Sequence, residues 1–481
     1  MADFPPQCVG KILSWISKDY LTLHATSNVN KLWCQQALCF LYRHPWKYLP
    51  EELTLVNTSK EACPLVNLRI AKLCQTLINC VPIDSFNCLD QWEALRKTTS
   101  FKPLVDYCSY LREIDLTWLT SCSWNVNSDS LNESLEFFIS IEVAEILAKY
   151  LWIEYGYKIR TLILARSIPL EQFLPPASPS PLTTLDIELV SFKSAHADLI
   201  NSTWHSLQTF KITATVVDDA AVARVISHQT SMKKLVIRSM ESYSIHHTID
   251  ALVKYHARSL THLKLSMCIL TLVETQDKLL FNAALSKLRH FSNLTSLKLM
   301  GWKLADNDIM YGVAPYLRKL SKFAFEEVPF NSRTCEAIMR AAGKNLLQAT
   351  ILTENQELGN SLVILAIHCP NLIYLDIQKM CYQSKHLLQC LKLWPHLKTL
   401  KLGSVENREP HIGDQIVNGI VTSLPQLEYL SMGPSKISEL SLSYLASHSN
   451  LQCIRLNSFA YTFTRQQAHS LLGNRIAIDL I

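Results

Sequence analysis

The sequence predicts an α/β solenoid, a curved parallel sheet inside with helices outside, and three observations predict it. The phrase Leu372-Ile-Tyr-Leu-Asp-Ile377 alternates apolar and polar residues as a strand with one buried face does. The same phrase opens at Leu111, Ile159, Leu182, Leu207, Met232, Leu260, Leu294, Leu320, Leu346, Leu397, Leu427 and Leu451, at steps of 23 to 34 residues from Ile159 onward. Between phrases the apolar spacing becomes helical, as in Ala220–Ile226, Leu279–Leu285 and Cys335–Ala342.

Units of ~20–29 residues carrying this phrase are leucine-rich repeats, whose stacking extends one continuous core. The chain therefore divides into a helical module over 1–49, a helical linker and cap over 50–110, and a solenoid over 111–481. The solenoid holds about 13 or 14 repeats. Leu111 to Ile159 spans twice the period, which predicts an insertion: a polar loop over Thr120–Ser130, then a helix from Leu135 to Tyr155. Pro175-Pro-Ala-Ser-Pro-Ser-Pro181 cannot be helical and reads as a crossover loop or a docking or phosphorylation segment. Three residues beyond the last strand leucine, where such repeats often carry Asn or Cys, stand Val190, Cys268, Trp302, Val328, Val405 and Phe459. Apolar packing without an asparagine ladder is the expectation at that turn. Ile476–Ile481 reads as a last strand.

The first 48 residues do not follow the repeat. Cys8, Val9, Ile12, Leu13 and Ile16 line one face of a short helix. Asp19 suits the cap of a second helix carrying Leu21, Leu23 and Ala25, and Asn28 or Asn30 that of a third with Trp33, Ala37, Phe40 and Leu41. Pro45 ends it. Three helices of this size have little core of their own and lean on a partner or on the solenoid.

Phe4-Pro-Pro-Gln-Cys-Val9, Ile12-Leu-Ser-Trp-Ile16, Asp19, Val29-Asn-Lys-Leu-Trp33 and Leu41-Tyr-Arg-His-Pro-Trp46 together resemble an F-box. The likeness is to a large fungal set with "VN+xW" and "LYR+PW" signatures. Phe4 stands where Leu is usual and Gln7 where Glu is preferred. The resemblance implies a non-catalytic substrate receptor of a Skp–cullin–F-box ubiquitin ligase. It also implies docking on a Skp-type adaptor, and through it a cullin, by Phe4, Pro5, Val9, Ile12, Leu13 and Leu32. Read from the residues alone, Ile12 and Trp33 serve equally as the core of the bundle. A scaffold that binds a partner without ubiquitin, or a small-GTPase regulator, is the alternative.

Composition excludes other classes. Forty-six basic and 41 acidic residues give +5, and no block of like charges occurs, so neither nucleic acid nor an anionic membrane is an expected partner. No signal peptide and no run of ~18 apolar residues is visible. The 15 cysteines then read as reduced thiols of a cytoplasmic or nuclear protein. Neither they nor the 16 histidines show zinc spacing, so no metal or cofactor is expected. Nucleotide and nucleophile motifs are missing, and Glu326-Glu327 and His246-His247 read as solvated pairs without catalytic spacing.

Under this register, residues between and just after the strand leucines project away from the helices, onto the concave face. These are Glu113, Asp115, Asp186 and Glu188 early, and Tyr374, Asp376, Lys401, Tyr429 and Arg455 late. Between them lie Lys211, Lys234, Arg238, His262, Lys264, Lys298 and Lys322. Adjacent strands are ~4.8 Å apart, inside a Debye length, so these charges act together. Seven basic groups over five strands serve solubility or form a stripe that binds an acidic or phosphorylated target. The stripe is the sharper expectation.

Overall fold

The structure, a computed structural model, describes residues 6–15, 20–27, 31–43, 107–115, 123–127, 134–138, 141–164, 170–173, 181–241, 244–267, 275–301, 309–328, 332–352, 359–379, 382–403, 412–433, 435–456, 465–473 and 476–480. Up to residue 217 the strands are β1 (Glu113–Asp115), β2 (Ser123–Asn127), β3 (Ser134–Phe138), β4 (Thr161–Leu164), β5 (Thr184–Phe192) and β6 (Thr209–Val217). Beyond it come β7 (Lys234–Ser239), β8 (His262–Met267), β9 (Ser296–Met300), β10 (Lys322–Glu326), β11 (Gln348–Leu352) and β12 (Tyr374–Ile377). The last are β13 (Thr399–Leu402), β14 (Ile412–Gly413), β15 (Tyr429–Met432), β16 (Ser435–Lys436), β17 (Cys453–Leu456) and β18 (Ala477–Leu480). Fourteen of them make one sheet whose order follows the chain; β1, β4 and β5 pair in parallel, as do its strands from β7 to β18, while β14 pairs with β16 and β2 with β3 outside it.

All thirteen phrase-opening residues, Leu111 to Leu451, are at most 1% exposed and stand two positions ahead of a strand. The reason is the period of two: Leu235 and Ile237, Leu263 and Leu265, Leu297 and Leu299, Phe323 and Phe325 bury one face of successive strands. Val222, Val225 and Ile226 of helix Asp219–His228 and Ile249 and Leu252 of helix His246–His256 are buried as well. Each such side chain stabilises the stack by ~1.5–3 kcal/mol. The three helices expected between phrases fall within Asp219–His228, Thr275–Ser286 and Ser332–Ala342.

The chain divides into two compact units, residues 1–190 with 198–210 and residues 191–197 with 211–481. In the first, helices α1 (Pro6–Trp15), α2 (Tyr20–Thr26) and α3 (Lys31–Leu41) close a cluster of Val9, Leu13, Leu23, Ala37 and Leu41, with Trp33 and Phe40 packed against it. The bundle leans on the first repeat: Arg112 N–H donates to the Arg43 carbonyl (3.1 Å), and the Tyr42 and Tyr107 rings lie 4.6 Å apart. Asp19, Asn28, Asn30 and Pro45 lie outside the described residues, as does the linker over 50–110 apart from 107–110. The insertion differs from expectation. A hairpin pairs Trp124 with Phe137 and Val126 with Leu135, and the helix begins only at Ile141. Aromatic and β-branched residues alternating with Ser and Asn favour a strand over the expected loop.

In the second unit, strand entrances share one hydrogen-bond pattern. Two successive N–H groups donate to one carbonyl of the preceding repeat: Thr261 and His262 to Lys233 (2.8 and 3.0 Å), Thr295 and Ser296 to Thr261 (2.8 and 3.0 Å). The Thr261 and Thr295 hydroxyls reach the same carbonyls at 3.0 and 3.1 Å. An asparagine ladder is also present, contrary to expectation, but on the helix-to-strand side. Asn293, Asn345, Asn371 and Asn450 donate to the carbonyls of Arg258, Arg318, Lys344 and Pro425 at 2.7 to 3.0 Å. Carbonyls at a helix C-terminus have no intrahelical donor, and the amide of the next repeat supplies one. At the opposite turn Val328 is buried as expected. Val190, in the first unit, is exposed instead, because β5 extends to Phe192 and carries it onto the open side. Cys268, Trp302, Val405 and Phe459 lie outside the described residues.

Glycine closes some strands for a steric reason. At Gly301 φ is +75°, and a Cβ there would overlap the main-chain oxygen of Met267. Gly301→Ala is expected to cost about 3 kcal/mol, from a strained φ plus the overlap; the urea midpoint measures it.

Buried polar side chains bridge neighbouring repeats. Asp219 accepts from the N–H groups of His247 (2.8 Å) and Thr248 (2.9 Å), so one helix caps the next. His256 is buried, with Nε2 2.9 Å from the Ile226 carbonyl and Nδ1 accepting from Met232 N–H at 3.3 Å. Nδ1 accepts, so the proton of the neutral ring sits on Nε2. Burial holds this imidazole below its ordinary pKa. The folded state thus binds fewer protons than the unfolded one. Its contribution to stability is complete above the unfolded value of ~6.5 and is lost as pH falls through the folded value. Urea unfolding at pH 7.5 and pH 5 should show this loss, and His256→Phe should show less of it.

Candidate functional site

The sheet face away from the helices in the second unit carries three rows in register. Lys234, His262, Ser296 and Lys322 form the first, and Val236, Lys264, Lys298 and Ala324 the second. Arg238, Ser266, Met300 and Glu326 form the third. Strand alternation places them there, since the intervening Leu, Ile and Phe are buried against the helices. Every residue of the expected stripe lies on these strands or, for Lys211, on β6. Arg238 and Lys322 are exposed, and Lys211, Lys234, His262, Lys264 and Lys298 are half-buried.

Two of the seven are not simple cations. Lys298 forms an ion pair with Glu326, their side chains 27% and 15% exposed. Glu326 is thus no solvated member of a turn pair: β10 runs one residue further than the leucine spacing suggests and turns it onto the face. Glu327, beyond the strand, pairs with Lys379 at 2.9 Å. His262 is held below the ordinary histidine value by burial and by Lys234 and Lys322, so it is neutral at neutral pH. Its Nδ1 lies 2.8 Å from the Thr261 hydroxyl.

Lys264 sits at the centre. Burial first, then Arg238 and Lys298, bring its ammonium down to about 8. Its register partner on β9 is Lys298, and like charges directly opposite each other repel. Two residues further along β8, Ser266 is 2% exposed, and among the described residues its hydroxyl has no hydrogen-bond partner. In sequence it reads as one more polar strand residue.

Farther along the sheet the character changes. Asp376 is buried, 3.6 Å from the Lys401 ammonium, and accepts from the Tyr374 hydroxyl (3.2 Å) and the Gln378 N–H (3.3 Å). Burial raises its carboxyl above the usual range, against the pull of Lys401. Lys401 also lies 5.5 Å from the Tyr374 ring centre. These groups satisfy one another. His246 is likewise engaged, 2.6 Å from the Ser244 hydroxyl and 3.6 Å from Asp219.

On the N-terminal bundle the structure separates the expected docking residues. Val9 and Leu13 are fully buried in its cluster, so their role there is core. Ile12 is 37% exposed, and Trp15, one turn on and not singled out by the sequence, is 80% exposed. Phe4 and Pro5 lie outside the described residues, as does the side chain of Leu32. Among the described residues no group of His, Cys, Asp or Glu is placed to hold a metal ion, and no helix is long and apolar enough to cross a membrane. The described cysteines are free thiols; burial raises those of Cys369 to about 12 and Cys390 to about 11.

No family model and no curated protein matches the chain. Solved structures similar to it include an internalin from Listeria monocytogenes (15% identity, 68% of this chain and 88% of that one, TM-score 0.39). The complex of Rad7 and Elc1 in yeast matches at 12% identity over 60% of this chain and 75% of that one (TM-score 0.37). A leucine-rich-repeat protein of Leptospira interrogans matches at 15% identity over 70% and 86% (TM-score 0.34). The leucine-rich-repeat architecture stands on the chain's own period and its parallel sheet.

Proposed function

We propose that the chain is the target-binding subunit of a Skp–cullin–F-box type ubiquitin ligase. The N-terminal bundle docks on a Skp-type adaptor through the Ile12 and Trp15 side of α1. The open face over β6–β10 holds an acidic segment of a target, and a conjugating enzyme recruited elsewhere performs the transfer. The contribution is proximity: tethering raises the local concentration of target lysines near the charged thioester.

The observation that carries this reading is the bundle. It closes a cluster of its own, adds no strand to the sheet, and leaves a tryptophan and an isoleucine exposed one turn apart. Aromatic residues of that kind anchor interfaces. The F-box resemblance over residues 4–46 supplies the partner. Full-length chain mixed with a purified Skp-type adaptor is expected to co-elute with it in size-exclusion chromatography. Separate elution would overturn the ligase reading and leave a scaffold that grips a partner by the same face.

A further inference from the structure

The strand entrances of the first two repeats carry arginine. One residue beyond the buried openers Leu111 and Ile159, at the rung where successive repeats exchange hydrogen bonds, stand Arg112 and Arg160. Arg160 and Thr161 N–H donate to the Arg112 carbonyl at 2.8 and 3.1 Å, and Arg112 N–H donates to that of Arg43 at the end of the bundle. Three arginines therefore occupy consecutive rungs, over about 10 Å at a strand spacing of ~4.8 Å. Thr183, Thr261, Thr295 and Ser321 hold this position in later repeats, where their hydroxyls donate to the ladder carbonyls. Arg43 and Arg160 are exposed, and Arg112 is half-buried, its Nη1 fixed on the carbonyls of Leu111 (2.7 Å) and Ser109 (3.4 Å). Burial first, then Arg43 and Arg160, hold the Arg112 guanidinium below its ordinary value, and no carboxylate is among the groups acting on it. None of the three forms an ion pair among the described residues. Tyr157, which also acts on Arg112, is 49% exposed, with the Lys158 ammonium 5.0 Å from its ring centre.

We infer that this column is a second docking surface, which takes an acidic segment of a protein partner: carboxylates on Arg43, Arg112 and Arg160, and an apolar side chain against the Tyr157 ring. It belongs to the first unit and shares no residue with the face over β6–β10, so it holds whether or not that face is the target grip. Like charges gathered without a counter-charge repel one another, and an incoming carboxylate removes that repulsion. A guanidinium fork receives a carboxylate through two parallel hydrogen bonds. Alternate residues of an extended segment stand about 6.8 Å apart, so the column seats two of them. A nucleic-acid strand, with a charge on every nucleotide, calls for a longer basic track than three rungs. The exposed ring adds what charge alone lacks, an apolar contact that selects among acidic segments.

The test uses the full-length chain carrying Arg238→Glu/Lys264→Glu, which silences the open face, and three fluorescent peptide pools. One fixes glutamates on either side of a central phenylalanine, the second replaces those glutamates with glutamine, and the third replaces the phenylalanine with alanine. A single-stranded oligonucleotide of mixed sequence is the fourth probe. The first pool is expected to bind about tenfold more tightly than either of the others. Arg160→Glu should weaken the first pool about tenfold and melt no lower than its parent, since the new carboxylate stands on the rung beside Arg112. Tyr157→Ala should weaken the first pool about tenfold and leave the alanine pool unchanged. Equal binding of the glutamate and glutamine pools would overturn the assignment, and so would binding of the first pool that Arg160→Glu leaves unaltered. An oligonucleotide bound more tightly than the first pool, and released by Arg160→Glu, would make this a nucleic-acid surface and overturn it as well. Absence of binding by every probe would remove the surface altogether.

Discussion

Leu13→Asp is expected to unfold the N-terminal bundle, and Trp15→Asp to leave it folded while abolishing adaptor binding. Leu13 is wholly buried among Val9, Leu23, Ala37 and Leu41. Removing it forfeits ~1.5–3 kcal/mol of burial, and a carboxylate in its place adds a desolvation cost, so the total reaches about 5 kcal/mol. A cluster of five side chains does not absorb that. Trp15, at 80% exposure, contributes little to the fold, yet a tryptophan at an interface centre carries ~2 kcal/mol or more, about thirtyfold in affinity. Hydrogen exchange over residues 6–41 reads the first effect, and adaptor titration reads the second. A Trp15→Asp chain that binds the adaptor as the parent does would move the docking face off this side of α1. Loss of adaptor binding in Leu13→Asp alone says nothing of the interface, since the surface that presents it has gone.

The contrast shows what the sequence could carry. The helical spacing of Val9, Ile12 and Leu13 marks an apolar stripe, but a stripe in a bundle this small has an inner and an outer edge. Only packing assigns Leu13 to one and Ile12 to the other. The starts of the thirteen phrase strands were legible to the residue, because the opening residue, leucine in eleven phrases and Ile159 or Met232 in the other two, lies buried two positions ahead of each. The asparagine rungs had a signal too: Asn293, Asn345, Asn371 and Asn450 each directly precede a phrase leucine. Glu326 and Ser266 had none. A glutamate beside another glutamate looks like a turn, and a serine between Leu265 and Met267 looks like any exposed strand residue. What distinguishes them is lateral register, which places Glu326 within reach of Lys298 and Ser266 beside Arg238. Those neighbours lie 28 residues away in the chain for both.

Register also decides which charges to reverse. Arg238→Glu/Lys264→Glu is expected to weaken binding of a glutamate-rich probe peptide at low salt about a hundredfold, since each reversal replaces an attraction by a repulsion, at half-buried Lys264 and at exposed Arg238. Lys298 is the wrong choice for this purpose. Its partner Glu326 would face a second carboxylate, and the variant would report that repulsion along with any lost contact. The double variant should also show a flatter dependence on salt, because screening acts on the attraction that has been removed. In the parent protein the pH dependence follows from the same cluster. An anion binds the protonated form of Lys264, whose ammonium stands at about 8, so affinity should fall as pH rises from 7 to 9. His262, neutral at pH 7, should add a further gain below its ordinary value of ~6.5. The Lys264→Gln chain should lose the alkaline limb and keep the acidic one, and anisotropy titrations at pH 5.5, 7 and 9 separate the two. An alkaline limb that persists in Lys264→Gln would assign it to another group and take Lys264 out of the contact.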